Sequence, residues 1–117
     1  MDAQLKEKWI AALESGEYKQ GTGFLRSIKN EFCCLGVLCD VFQKETEKGE
    51  WQNGHFVYGE SNNVFLPSYL ASEISISSNG LLKTSIECGD LRRYNLAALN
   101  DTGMPFKEIA QVIREQF

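Results

Sequence analysis

The chain has 117 residues, 43% of them hydrophobic and 24% charged, with only two prolines, which excludes disordered, collagen-like and low-complexity classes. This length fits one domain, residues 1–117, with enough apolar material to build a core without staples. Twelve basic and sixteen acidic residues leave a net charge of −4, with no basic stretch in either half, which argues against a binder of duplex nucleic acid.

The start, Met1 to Lys8, has no basic segment followed by an apolar run, and nothing approaches the roughly 18 apolar residues of a membrane span. The expectation is a cytoplasmic protein without membrane partners, whose four cysteines remain thiols. A bridge between the neighbours Cys33 and Cys34 would be strained.

From Asp2 to Ser15, Leu5, Trp9 and Leu13 recur every fourth position, predicting an amphipathic helix capped by Asp2 and ended by Gly16. Phe24-Leu25-Arg26 and Glu31-Phe32-Cys33 flank Ser27 to Asn30 as a short hairpin would. Cys34, Val37, Leu38, Val41 and Phe42 then have the spacing of a central helix buried on most sides. Gly36 inside it costs about 1 kcal/mol relative to Ala, so a close packing partner is expected there.

Gln43 to Gly49 reads as a loop or frayed helix end. Asn53-Gly54 between Trp51-Gln52 and His55 to Tyr58 predicts a hairpin with a type I′ turn. Pairing Gln52 with His55 sets Trp51 opposite Phe56, with Tyr58 on that same face. Val64 to Leu66 reads as a strand and Pro67 as the start of a short helix to Ala71. Ile74 and Ile76 alternate with serines, and beyond Asn79-Gly80 the run Leu81 to Ile86 offers a partner strand. Leu91, Tyr94, Leu96 and Leu99 suggest a helix ending at Asn100 to Gly103, followed by one behind Pro105 with Phe106, Ile109, Ala110, Ile113 and Phe117 inside. The fold class is therefore α+β: a small antiparallel sheet packed with N-terminal, central and C-terminal helices.

Few residues suggest chemistry. Cys33, Cys34, Cys39 and Cys88 with the single His55 are the zinc or thiol candidates, but Cys34 and Cys39 diverge by roughly 140° around a helix. Buried cysteines are also inert, so core packing is the simpler reading. Glu31, Asp40 and Asp101 form no pair fixed by spacing, Asn100 to Gly103 lacks the ligands of a calcium loop, and Gly21-Thr22-Gly23 lacks the lysine of a phosphate loop. No catalytic residue, metal ligand or cofactor is assigned. Trp51, Phe56 and Tyr58 offer a stacking surface, with Arg92, or else Arg93, Lys83 or Lys19, to hold a phosphate. Core packing of the same aromatics is the alternative.

The segment Phe32 to Asp40, with Trp9, Ala12 to Gly16 and Tyr18 to Gly21, resembles an uncharacterised family of small phage and prophage proteins. Leu99 to Gly103 and Phe106 to Ala110 are similar to that family's ending, whereas residues 43–90 match poorly, and Pro105 stands where the family has a capping serine. The resemblance implies a phage-type accessory protein in the host cytoplasm. Such a protein would bind without catalysis, inhibiting a host protein or sequestering a nucleotide-like defence signal through Trp51, Phe56, Tyr58 and Arg92. The first alternative is a thiol- or zinc-dependent enzyme using Cys33, Cys34 or Cys39 with His55. The second is a structural or assembly protein that forms homo-oligomers through Ile113 and Phe117.

Overall fold

The computed structural model describes all 117 residues as five helices and two small antiparallel sheets. Helix α1 (Ala3–Glu14) starts where the Asp2 carboxylate accepts the Leu5 N–H at 2.8 Å, and buries Leu5, Trp9, Ile10 and Leu13. The indole N–H of fully buried Trp9 donates to the Cys34 carbonyl at 2.9 Å, tying α1 to the start of the next helix.

Helix α2 (Cys34–Thr46) is the centre of the molecule, and every residue from Cys34 to Phe42 is buried. The Cys33 sulfur accepts the Gly36 N–H at its N-terminus. Gly36 has the expected close partner: a Cβ there would lie 1.8 Å from the Leu25 carbonyl oxygen, so the preceding loop presses directly on the helix backbone. That loop is less regular than a hairpin. Ser27 N–H donates to Glu31 O at 2.8 Å and Arg26 bridges Phe32, but Phe32 is also held by residues 19–21 and Leu25 N–H goes to Asn63 O at 2.8 Å. With those groups taken, no ladder extends along residues 24–33.

The first sheet has the order β1 (Glu50–Gln52), β2 (His55–Tyr58), β3 (Glu60–Asn62), with the expected register Gln52 to His55 and Trp51 to Phe56. Asn53 and Gly54 take φ of 51° and 82°, as a type I′ turn requires. The third strand lies earlier than expected. The bend lies at Asn63 to Phe65, because the Asn62 side chain accepts the N–H groups of both Val64 and Phe65 and turns the chain, and Leu66 follows outside any strand. Helix α3 (Ser68–Ile74) then follows Pro67, so Ile74 is helical and does not alternate in a strand with Ile76.

The second sheet pairs β4 (Leu81–Cys88) with β5 (Leu91–Asn95). The expected helix from Leu91 therefore shortens to α4 (Leu96–Asp101). Asn95 stays extended, and its side chain accepts the Ala98 N–H at 2.8 Å, a cap that fixes the helix start. Leu91 and Tyr94, read from their spacing as core, are 57% and 59% exposed. Helix α5 (Phe106–Gln116) closes the chain against α1 and α4, burying Phe106, Ile109, Ala110, Val112 and Ile113. One cluster of 28 buried apolar residues draws on all five helices. No helix is long and apolar enough to cross a membrane.

Candidate functional site

Trp51, Phe56 and Tyr58 share one face of the β1–β2 hairpin, and that face covers α2. Phe56 is fully buried, and Trp51 meets it edge-on at 5.1 Å between ring centroids. Tyr58 packs on Phe42 at 5.3 Å and donates its hydroxyl to Glu73 at 2.5 Å. Only Trp51 and Tyr58 retain partial exposure. Arg92 is not brought to them, since it lies on β5 of the other sheet with its guanidinium on Glu87 and Ser85.

The cation that reaches these aromatics is Arg26. Its guanidinium carbon sits 5.1 Å from the Phe32 ring centroid and 5.3 Å from that of Trp51, while Nε donates to Asn30 at 2.8 Å. Both terminal nitrogens lack a protein partner. The Asn53-Gly54 turn sits over the backbone at this point, with the position of a Gly54 Cβ only 2.7 Å from Arg26 O. The sequence marks Arg26 only weakly: Trp51 is 25 residues away, and the local signals are the turn-forming Asn30 four residues on and Phe32 two beyond it.

Arg26 borders a cleft of about 340 Å³ whose other walls include Tyr18, Phe32, Asp40 and Lys44. At its base the nearly buried Asp40 carboxylate accepts from the Tyr18 hydroxyl, from Lys44 Nζ at 3.1 Å and from Trp51 Nε1 at 3.1 Å. These bonds join the 15–33 loop, α2 and the first sheet. Burial alone would raise the Asp40 carboxyl, but its Tyr18, Lys44 and Trp51 donors outweigh burial and hold it below the ordinary carboxylate value. Burial, then the Asp40 bond, raises the Tyr18 hydroxyl, which stays a donor.

The folded state thus holds the Asp40 proton more weakly than the unfolded chain does. Its contribution to stability is complete above the unfolded pKa of about 4 and is lost as pH falls through the lower folded value. Asp40→Asn should cost about 2 kcal/mol at neutral pH, where charge-assisted bonds are lost. Urea unfolding should show this gap unchanged from pH 7 to 5 and narrowing below about pH 4. A gap of the same size at pH 3 would rule out an ionised, hydrogen-bonded Asp40.

Two loops, one of them carrying Arg26, expose apolar side chains. Phe24 is 51% exposed and Ile28 fully exposed on one loop, and Val64 and Phe65 are exposed on the other, while the exposed Tyr69 of α3 lies farther off, against Gly59. The Leu25 to Asn63 backbone bond joins the loops. Charge on this face is uneven. Arg26 and Lys29 make no ion pair, Lys19 is paired with Glu31 at 3.2 Å, and the Glu60 carboxylate accepts the Ser68 N–H at 2.6 Å.

A family model described as a domain of unknown function (DUF8296) matches residues 1–117. The chain belongs to the DUF8296 family. No curated protein and no solved structure matches it.

In this DUF8296 chain the cysteines lie apart from the exposed face. Cys33, Cys34 and Cys39 are buried, and burial pushes the Cys33 thiol up to about 11 and those of Cys34 and Cys39 well above the usual range. His55 lies on the outer side of the hairpin with its ring against the Asn53 carbonyl. No group of three His, Cys, Asp or Glu residues is placed to hold a metal ion. Asn100 to Gly103 is a helix stop, with the Asn100 side chain turned inward. Ile113 is fully buried, and Phe117, half-buried, packs edge-on against Trp9 at 6.4 Å.

Proposed function

We propose that the protein is a non-enzymatic binding protein that docks on a partner protein through the face centred on Arg26. The observation that carries this reading is the set of exposed apolar side chains, Phe24, Ile28, Val64 and Phe65, on two joined loops next to a stacked guanidinium whose terminal nitrogens are free. Contiguous exposed apolar surface marks interaction sites, and Arg and Trp are frequent anchors of binding energy. Stacking and the Asn30 bond hold Arg26 in place, so little rotamer freedom is lost on association. The molecule is acidic overall, yet Arg26 and Lys29 stand here without ion pairs, beside a Glu17 carboxylate on the cleft wall that is also unpaired. Its complement is an apolar surface bearing carboxylates.

The resemblance of Phe32 to Asp40 to phage and prophage proteins supports a host protein as that partner and inhibition as the outcome. Four unpaired cysteines support action in the cytoplasm. A nucleotide-like ligand is the second reading, favoured by the free fork of Arg26 and by Lys44 lining the same 340 Å³ cleft.

The experiment is a comparison of three baits in a pull-down from host cells. The native chain should retain a partner that the Phe24→Ser, Arg26→Ala, Phe65→Ser triple variant loses by about tenfold or more. Leu91→Ser with Tyr94→Ser, which removes exposed apolar groups of the other sheet, should retain it. Equal retention by the native chain and the triple variant would sink the proposal.

A further inference from the structure

A second cleft, of about 580 Å³, shares no lining residue with the Arg26 cleft. It lies between the β4–β5 turn, the end of α4 and the start of α5, and its walls include Glu87, Cys88, Arg93, Met104 and Glu108. Arg93 Nε is the one buried side-chain nitrogen or oxygen in the protein without a hydrogen-bond partner. Its terminal nitrogens also have no acceptor within the chain, although pairing with Ile86 fixes the Arg93 backbone in the sheet. Native structures seldom leave a buried donor unmet, so this guanidinium, none of whose donors is bonded within the chain, brings unspent donor capacity to the cleft it lines.

The charges in this cleft narrow the choice. Glu87 is neutralised by Arg92 at 2.5 Å, whereas Glu108, exposed in the first turn of α5, has no cation within ion-pair distance. The cleft therefore presents an unpaired cation and an unpaired anion that do not neutralise each other. A simple anion on Arg93 would be repelled by Glu108, and a simple cation on Glu108 would be repelled by Arg93. A molecule carrying both charges satisfies both groups.

We propose that this cleft binds a small zwitterion of the amino-acid class, its carboxylate on the Arg93 fork and its ammonium on Glu108. Guanidinium and carboxylate are matched for two parallel bonds, and an ammonium donates readily to a carboxylate.

The test is an NMR titration of the ¹⁵N-labelled full chain with glycine and, separately, diglycine, reading the Gly89 and Gly103 amides. One or both probes should move these amides to saturation, and which one does so distinguishes a free amino acid from the two ends of a short peptide. N-acetylglycine and glycinamide each lack one charge and should bind about tenfold or more weakly, as should the better zwitterion to Arg93→Gln or Glu108→Gln. Arg93→Lys, which keeps the charge without the fork, should fall between. Amides unmoved by both zwitterions would overturn the proposal. So would tighter binding of N-acetylglycine to Glu108→Gln together with undiminished glycine binding, which marks a plain anion site. The variant spectra themselves show whether the fold is kept.

Discussion

Gly36→Ala should unfold the protein at moderate temperature, or fail to yield folded protein. In an exposed helix this substitution gains about 1 kcal/mol. Here the new methyl carbon would stand 1.8 Å from the Leu25 carbonyl oxygen and 2.6 Å from its carbon, both backbone atoms that no rotamer change can clear. Leu25 cannot retreat freely. Its side chain is fully buried, its N–H is bonded to Asn63, and its carbonyl accepts the Cys33 N–H at 3.3 Å. Overpacking typically costs about 1 to 3 kcal/mol, and a clash with immobile backbone belongs at the upper end of that range, which exceeds the propensity gain. Against a total stability of about 5 to 15 kcal/mol, that loss should lower Tm by about 10 °C, measured by circular dichroism. An unchanged or raised Tm would mean that the loop does not press on α2 as described.

Asn100→Ala should be almost as damaging, although it removes only a small polar side chain. Asn100 is fully buried, and its Oδ1 accepts the Cys34 N–H at 3.1 Å and Gln20 Nε2 at 3.0 Å, while its Nδ2 donates to the Gly21 carbonyl at 2.8 Å. One side chain thus joins α4, the start of α2 and the 15–33 loop. Gln20 continues the network by donating to the Met104 carbonyl at 2.8 Å and accepting the Phe106 N–H at 3.2 Å. Truncation would strand the Cys34 N–H and the Gly21 carbonyl without partners, and each such group costs about 1 to 3 kcal/mol. A loss of about 2 to 4 kcal/mol is expected in urea unfolding, with the m-value unchanged. A loss below about 0.5 kcal/mol, typical of surface positions, would remove Asn100 from any bridging role.

What could be read from sequence depended on how local the deciding contact was. Helices α1, α2 and α5 bury stripes that repeat at helical spacing within one segment, and the Asn53-Gly54 hairpin is set by two residues whose backbone the turn dictates. Gly36 also signalled its role, since a glycine inside an apolar helix needs a reason, and the Leu25 carbonyl supplies it. The errors fell where one spacing suits two structures. Leu91 and Tyr94 stand three apart, as on a helix face, but they are exposed on a two-stranded ribbon, and only the Asn95 cap marks where helix begins. Strand β3, at Glu60–Asn62, has no apolar residue to announce it and exists because β2 offers an edge.

The candidate face was less legible still. Trp51 was recognisable as part of an aromatic set, but the cation stacked on it comes from a loop ahead of α2. Arg92, the basic residue the sequence reading selects, is held by Glu87 and Ser85 on the other sheet, and Arg26 is not among that reading's candidates. Asp40 likewise looked like one more surface carboxylate, and only its three donors, brought from separate segments, show it to be a fixed part of the cleft.

The most direct test of the docking face is photo-crosslinking in host cells, with a benzophenone amino acid placed at Ile28 in one chain and at Leu91 in another. Both side chains are exposed, but only Ile28 lies on the Arg26 face. A discrete adduct with a second protein from position 28, and none from position 91, is the expected result. An adduct with that same protein from position 91 alone, or adducts from position 28 made only of two copies of this chain, would contradict it.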